Sequence, residues 1–234
     1  MLDPGRGRTR TGRLWVYVRD DRPWDGPDPP AAVYFYSPDR RAERPAAHLR
    51  GFLGTLQVDG YAGFEALAAG EVVLAACWAH TRRKFYDVHQ ATESPIAAEA
   101  LRRIAGLYAI ETEIRGRSAD ERQRHRECHA RPVVATLKHW LEEQLHRVPP
   151  RGGLAEAIRY ALARWPALCR FLDDGRIELD NNPVERAIRP VATMSSLCPP
   201  LLSVSKHCKL VLWHGATRAG CSRDRGGHPF MLQV

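Results

Sequence analysis

The sequence predicts a fold of the α/β or α+β class, and three observations carry that prediction. Short β-branched and aromatic runs punctuate the first third of the chain, at residues 14–19 (LWVYVR), 32–36 (AVYFY), 55–58 (TLQV) and 72–77 (VVLAAC), as strands require. From Ala79 the apolar period turns helical and stays so for about a hundred residues. A sheet followed by helices in one chain argues against a bundle or a barrel.

Each element follows from local pattern. Residues 14–19 alternate in part and read as a strand; DDRPWDGPDPP is a loop of turn formers, and residues 32–36 form the next strand, so 14–36 suggests a long-looped antiparallel hairpin. Residues 44–53 read as a short helix, 55–58 as a third strand that ends at Asp59, and 61–69 as helical. Residues 72–77 are apolar throughout, the mark of a buried strand. Helices are predicted at 79–90, 95–116, 119–146 and 153–173, the last two separated by VPPRGG. Ile96, Leu101, Ile104, Leu107, Tyr108 and Ile114 fall on one broad stripe. Pro132 should start or kink a helix, Pro166 should bend one, and another helix opens at Pro183. Beyond Thr193 no period persists and no element is assigned; that stretch holds half the cysteines and one acidic residue, Asp224.

Composition narrows the function classes. A formal charge of +8 suits a polyanion such as DNA, because lysine and arginine on phosphates release counterions. No stretch of some 18 apolar residues occurs, and the basic N-terminus lacks an apolar segment behind it, so neither a membrane span nor a signal peptide is expected. The chain should be cytoplasmic and nucleoid-associated. Cysteines 77, 128, 169, 198, 208 and 221 lack regular spacing, which favours reduced thiols over a disulfide framework. No Walker loop, GxGxxG, GxSxG or HExxH pattern is present.

Several residues could carry chemistry. Asp59 closes a short apolar strand and precedes Gly60; a carboxylate at a strand end is a good hard-oxygen ligand for Mg²⁺, or an ordinary turn aspartate. Glu185 lies in ELDNNPVERAIRP. With Asn182 as N-cap and Pro183 first in the helix, Glu185 fits a capping box; alternatively that rigid first turn aims it at a metal, with Asp180, Asn181 and Asn182 around it as supporting groups. Arg186 and Arg189 would then contact DNA, although Arg189 could equally pair with Glu185. In CWAHTRRKF, Cys77 and His80 fall short of the four ligands that zinc needs. His80, Arg82, Arg83 and Lys84, at a helix start, suit phosphate contacts or a solvated basic face.

Taken together, LQVDGYAGFEAL, ACWAHTRRKF, YALARWPALCRFLDDGRIELDNNPVERAIRPVA and the opening GRLWVYVRDDRP resemble insertion sequence 66 family transposases over roughly residues 3–193. The resemblance implies an α/β fold: a ribonuclease-H-like mixed sheet, incomplete here, with a large helical insertion. It implies a core at 1–93 bearing Asp59, an insertion at 94–173, a glutamate-bearing helix at 174–193, and a divergent tail at 194–234 for which disorder is one reading. It also implies two divalent ions, Mg²⁺ or Mn²⁺, held by two aspartates and a glutamate, with Asp59 matching the second aspartate and Glu185 the glutamate. The expected reaction is phosphodiester hydrolysis and strand transfer on transposon ends and target DNA, by a homo-oligomer or beside a full-length transposase.

Two departures qualify that expectation. The family's first aspartate belongs to a strand upstream of the segment that Met1 opens, so the sheet should lack the element joining the 14–36 hairpin to the Asp59 strand. Open edges and marginal folding are then expected, with no strand transfer by the chain alone. The tail replaces the family's basic continuation and reads as out-of-frame translation. Two other classes stay open: a non-catalytic DNA-binding or interfering partner of a full-length transposase, and a structural helical adaptor whose carboxylates only cap and pair.

Overall fold

The computed structural model describes residues 12–69, 72–197 and 209–214. Strand β1 (Arg13–Arg19) runs through a 3-10 turn at Arg22–Trp24 into β2 (Ala31–Ser37), and the two pair antiparallel from Arg13↔Ser37 to Arg19↔Ala31. The predicted hairpin is thus formed. Helix α1 (Glu43–His48) is shorter than the sequence suggested, because Gly51 and Gly54 adopt positive φ angles of 76° and 130° and turn the chain into β3 (Gly54–Val58). The expected helix after Asp59 is a 3-10 segment, Ala62–Ala69. It leads to β4 (Val72–Ala76), parallel to β3.

Six helices follow in close succession among the described residues. Cys77 is the N-cap of α2 (Trp78–Thr92) rather than the last residue of a strand. Ser94 accepts a hydrogen bond from the Ala97 amide and starts α3 (Pro95–Glu113). Ser118 and Glu121 form a capping box that opens α4 (Ala119–Arg147), and Pro132 lies inside this 29-residue helix without starting it. The predicted helix at 153–173 is two, α5 (Gly153–Ala163) and α6 (Trp165–Asp173), joined at Arg164. Pro166 sits in the first turn of α6, where its missing N–H costs nothing. Helix α7 (Asn182–Leu197) completes the block.

The sheet holds a strand that the sequence reading did not assign. Strand β5 (Lys209–His214) lies between β1 and β3, giving the order β2-β1-β5-β3-β4. It runs parallel to β1, with Trp15↔Lys209 through Val18↔Leu212, and antiparallel to β3, with Thr55↔His214 through Val58↔Val211. The gap expected between the hairpin and the Asp59 strand is therefore closed from the far end of the chain. KLVLWH is a compact β-forming run with Gly215 directly after it, a local signal that the sequence reading passed over.

The core lies on both faces of this mixed sheet. On one, Trp15, Leu56, Val58 and Val72 pack with Phe64 of the 3-10 segment and with Leu49 and Phe52 beyond α1. On the other, Val16 and Val18 of β1 meet Val184 of α7. Ala75 and Ala76 of β4 join a larger cluster built by α2 to α6, including Trp78, Ile104, Leu137, Ile158 and Phe171.

Candidate functional site

The segment that leads into α7 is held from four sides. The Gln57 side-chain amide on β3 donates to the Glu178 carbonyl at 2.7 Å. The Trp78 backbone amide donates to the Leu179 carbonyl at 3.1 Å, and the buried Cys77 thiol donates to Asn181 Oδ1 at 2.9 Å. From α4, Arg122 Nη2 reaches Glu178 Oε1 at 2.5 Å. Tyr34 of β2 donates to the Ala187 carbonyl at 2.8 Å and ties α7 to the hairpin. Burial pushes the Cys77 thiol up to about 12, so it is an inert thiol here and not a metal-ready thiolate.

The start of α7 differs from the capping box read in the sequence. Asp180, not Glu185, takes the Asn182 backbone N–H, at 2.9 Å, and it also accepts from Asn182 Nδ2 at 2.6 Å. Asn181 precedes the first helical residue and is fully buried, its carbonyl accepting from the Val184 and Glu185 amides. Glu185 is left exposed on the first turn. Burial raises the Asp180 carboxyl above the ordinary range, against the opposing pull of the Asn182 amide, the Tyr108 hydroxyl, Arg186 and Arg115.

Asp59, half-buried, follows the end of β3, and its Oδ1 accepts the Tyr61 amide at 3.1 Å. This is an Asx-type turn, completed by Gly60 at φ 83°. A Cβ at Gly60 would stand 2.5 Å from the Tyr160 hydroxyl of α5. Burial raises the Tyr160 phenol, the Arg164 charge opposes that rise, and the Asp59 charge adds to it. Continuing the ladders by one residue sets Asp59 level with Leu210 and then Val16, two strand spacings or roughly 10 Å across the sheet. Val184, the neighbour of Glu185, packs with Val16. By strand alternation Asp59 also shares the face of Gln57, which reaches the segment before α7. The fold thus gathers the Asp59 strand end and the Glu185 helix start over one stretch of sheet.

The basic candidates divide. On α2, Arg82, Arg83 and Lys84 are exposed while His80 is half-buried. Arg83 pairs loosely with Asp87 at 3.6 Å, and the Lys84 ammonium lies 5.5 Å from the centre of the Tyr160 ring. Arg186 and Arg189 are exposed on α7.

A family model described as Transposase IS66 family matches residues 1–196. The chain belongs to that family. Among its relatives are three proteins of Sinorhizobium fredii (strain NBRC 101917 / NGR234), each carrying the description "Uncharacterized protein". The first, y4jD, is 46% identical over 198 residues, covering 82% of this chain and 39% of its own. The second, y4qI, is 46% identical over 197 residues, covering 81% and 36%, and the third, y4hP, is 41% identical over 204 residues, covering 80% and 37%. The chain therefore spans about two fifths of the length of these relatives. No solved structure matches it.

For an IS66-family chain a divalent ion is implied, and its residues can be tested for fit. A two-ion site needs several oxygen ligands converging at about 2.0–2.6 Å. Among the described residues no group of three or more His, Cys, Asp or Glu side chains stands where it could hold an ion. Asp59 and Glu185 do not complete such a site among the described residues.

The sequence reading missed the ion-pair cluster that positions α7. Arg122 and Arg126 of α4 are 1% and 0% exposed. Arg126 grips both oxygens of Glu111 at 2.7 Å and donates to the Phe171 and Asp174 carbonyls at 2.7 and 3.1 Å. Arg122 Nη2 bridges Glu111, at 3.1 Å, and Glu178. A signal was available: the buried stripe of α4 steps back through Leu141, Leu137, Val134 and Ala130 to positions 126 and 122, both arginine.

Proposed function

We propose that this IS66-family chain has a transposition-related function on a ribonuclease-H-like core, with residues 94–173 as a helical insertion, and that it lacks strand-transfer activity by itself. Asp59 and Glu185 are read as two carboxylates of the family's metal site, and DNA as the partner. The observation that carries the reading is the match over residues 1–196, in which Asp59 ends a central strand and Glu185 opens the helix packed on that sheet. The family reaction is metal-dependent phosphodiester hydrolysis followed by strand transfer. Its metal-bound steps need ligands beyond the two carboxylates of this chain. Among the described residues no helix is long and apolar enough to cross a membrane. A nucleoid location is part of the proposal.

The test is direct. Purified 234-residue protein, given labelled transposon-end duplex with Mg²⁺ or Mn²⁺, is expected to neither nick nor join it; metal-dependent joining overturns the inactive reading. Mn²⁺ is expected to broaden the amide signals of Gly60 and Val184, and Asp59→Asn or Glu185→Gln to weaken that broadening. Broadening unchanged by both substitutions would favour the adaptor reading, in which the carboxylates only cap and pair.

A second reading draws on β5, which closes the sheet, while among the described residues no group of three or more metal-ligating side chains stands together. The chain would then be a folded, non-catalytic DNA-binding partner that interferes with a full-length transposase. It predicts salt-sensitive DNA binding and co-purification with the longer protein.

A further inference from the structure

Beside the start of α7 lies a cavity of about 170 Å³, lined among others by Tyr108, Arg115, Arg122, Asp180 and Arg186. This is small beside the roughly 300–1,000 Å³ of typical organic-ligand sites, and fits a compact group. Arg115 and Arg186 also line a neighbouring, more open trough of about 520 Å³ with Asp20, Arg22 and Gly116. The two spaces therefore meet at a pair of arginines.

The charge balance there favours an anion. Glu111 and Glu178 are occupied by Arg126 and Arg122, which leaves that buried quartet neutral. Asp20 is held by Arg22 at 2.7 Å. Asp180 is the remaining carboxylate, and it faces two arginines, Arg115 and Arg186, for which no ion pair is found among the described residues. The independent sign is Arg122. Its side chain is 2% exposed and belongs to the cavity lining, and among the described residues its buried Nε and Nη1 have no hydrogen-bond partner. Two unpartnered donor nitrogens on a buried guanidinium are costly to leave without bonds, and a planar guanidinium suits a tetrahedral oxyanion. The α7 N-terminus adds a favourable dipole from the same side.

We infer that Arg115, Arg122 and Arg186 form a phosphate seat at the junction of α3, α4 and α7, open to a backbone phosphodiester arriving along the Asp20–Arg22 trough. This extends the DNA-binding reading and rests on it only for the source of the phosphate.

The experiment titrates the full 234-residue protein, with side-chain Nε–Hε signals of arginine observed by NMR, using inorganic phosphate in one arm and a 20-base-pair duplex in the other. Arg115→Gln, Arg186→Gln and the double variant are compared, and the conservative Arg115→Lys serves as a folding control. The Arg115, Arg122 and Arg186 signals are expected to shift in at least one arm. The double variant is expected to flatten the slope of log affinity against log salt by about two, near 0.9 per lost phosphate contact. A response to duplex alone assigns the seat to the DNA backbone. A response to both is a general phosphate seat, and a response to inorganic phosphate alone a small-anion site apart from DNA. No shift in either arm overturns the seat. Duplex binding with an unchanged salt slope in the double variant refutes it as a DNA contact while leaving the DNA-binding reading intact.

Discussion

At the scale of single residues, buried charge and close backbone approach decide what can change. Removing one partner of a buried ion pair strands the other, at a cost of about 3–5 kcal/mol. Arg126→Met, which leaves Glu111 only its 3.1 Å bond to Arg122 and strands two carbonyls, should lower unfolding stability by roughly that order in urea titration. Gly175 meets α4 so closely that a Cβ would clash with the Ala119 carbonyl oxygen. Gly175→Ala should therefore cost roughly 1–3 kcal/mol, read from the urea midpoint. His48 stacks on Phe35 with ring centres 4.3 Å apart and shares a 3.0 Å hydrogen bond with Tyr17. Burial, helped by Arg44, lowers its pKa below 6.5. The folded state thus binds fewer protons there than the unfolded chain, so its contribution is full above about pH 6.5 and is lost as pH falls through the lowered value. Melting temperature should drop between pH 7 and 5, and His48→Phe should flatten that dependence. The sequence reading weighed Asp59 as a metal ligand or a turn aspartate, and the turn bond to Tyr61 is made. It credited Glu185 with a cap that Asp180 makes instead, because spacing alone cannot say which of two nearby carboxylates reaches an amide.

At the scale of elements, pattern served well where a run and its punctuation agreed. The β1–β2 hairpin, β3, β4 and the starts of α3 and α4 lie where strand formers, serine caps and prolines place them. Boundaries failed where tertiary contact overrode period. Arg164 divides α5 from α6 because Trp165 packs edge-on to Trp78, ring centres 5.7 Å apart, and Pro166 restarts the helix. Strand β5 was not assigned: its place depends on two edges, β1 and β3, that lie about 195 and 155 residues away in sequence, and local pattern does not specify such long-range pairing. A proline at Val211 removes a donor in the middle of a central strand. Val211→Pro should lower the melting temperature by at least about 5 °C, taking a few kcal/mol at some 2–4 °C each.

At the scale of the whole molecule, β5 supplies the ladders that connect the hairpin to the β3–β4 pair, and side-chain packing around Trp15 adds to the contact between those halves. A chain ending at Leu197 should lose its single cooperative urea transition, a change visible by following tryptophan fluorescence and far-ultraviolet dichroism together. The charge of +8 acts at this scale as well: under the proposed function it would promote encounter with DNA at any sequence, while the arginines around α7 would fix where the backbone rests.

The berth that β5 fills has an unusual symmetry. Because β1 and β3 point opposite ways, any segment lying between them meets one co-directional and one counter-directional neighbour, whichever way it enters. Reversing the guest would swap the two kinds of ladder left for right without changing their number. Main-chain bonding there is blind to N-to-C polarity, and the choice of occupant falls to side-chain alternation and to the reach of the twelve-residue step from Leu197 to Lys209.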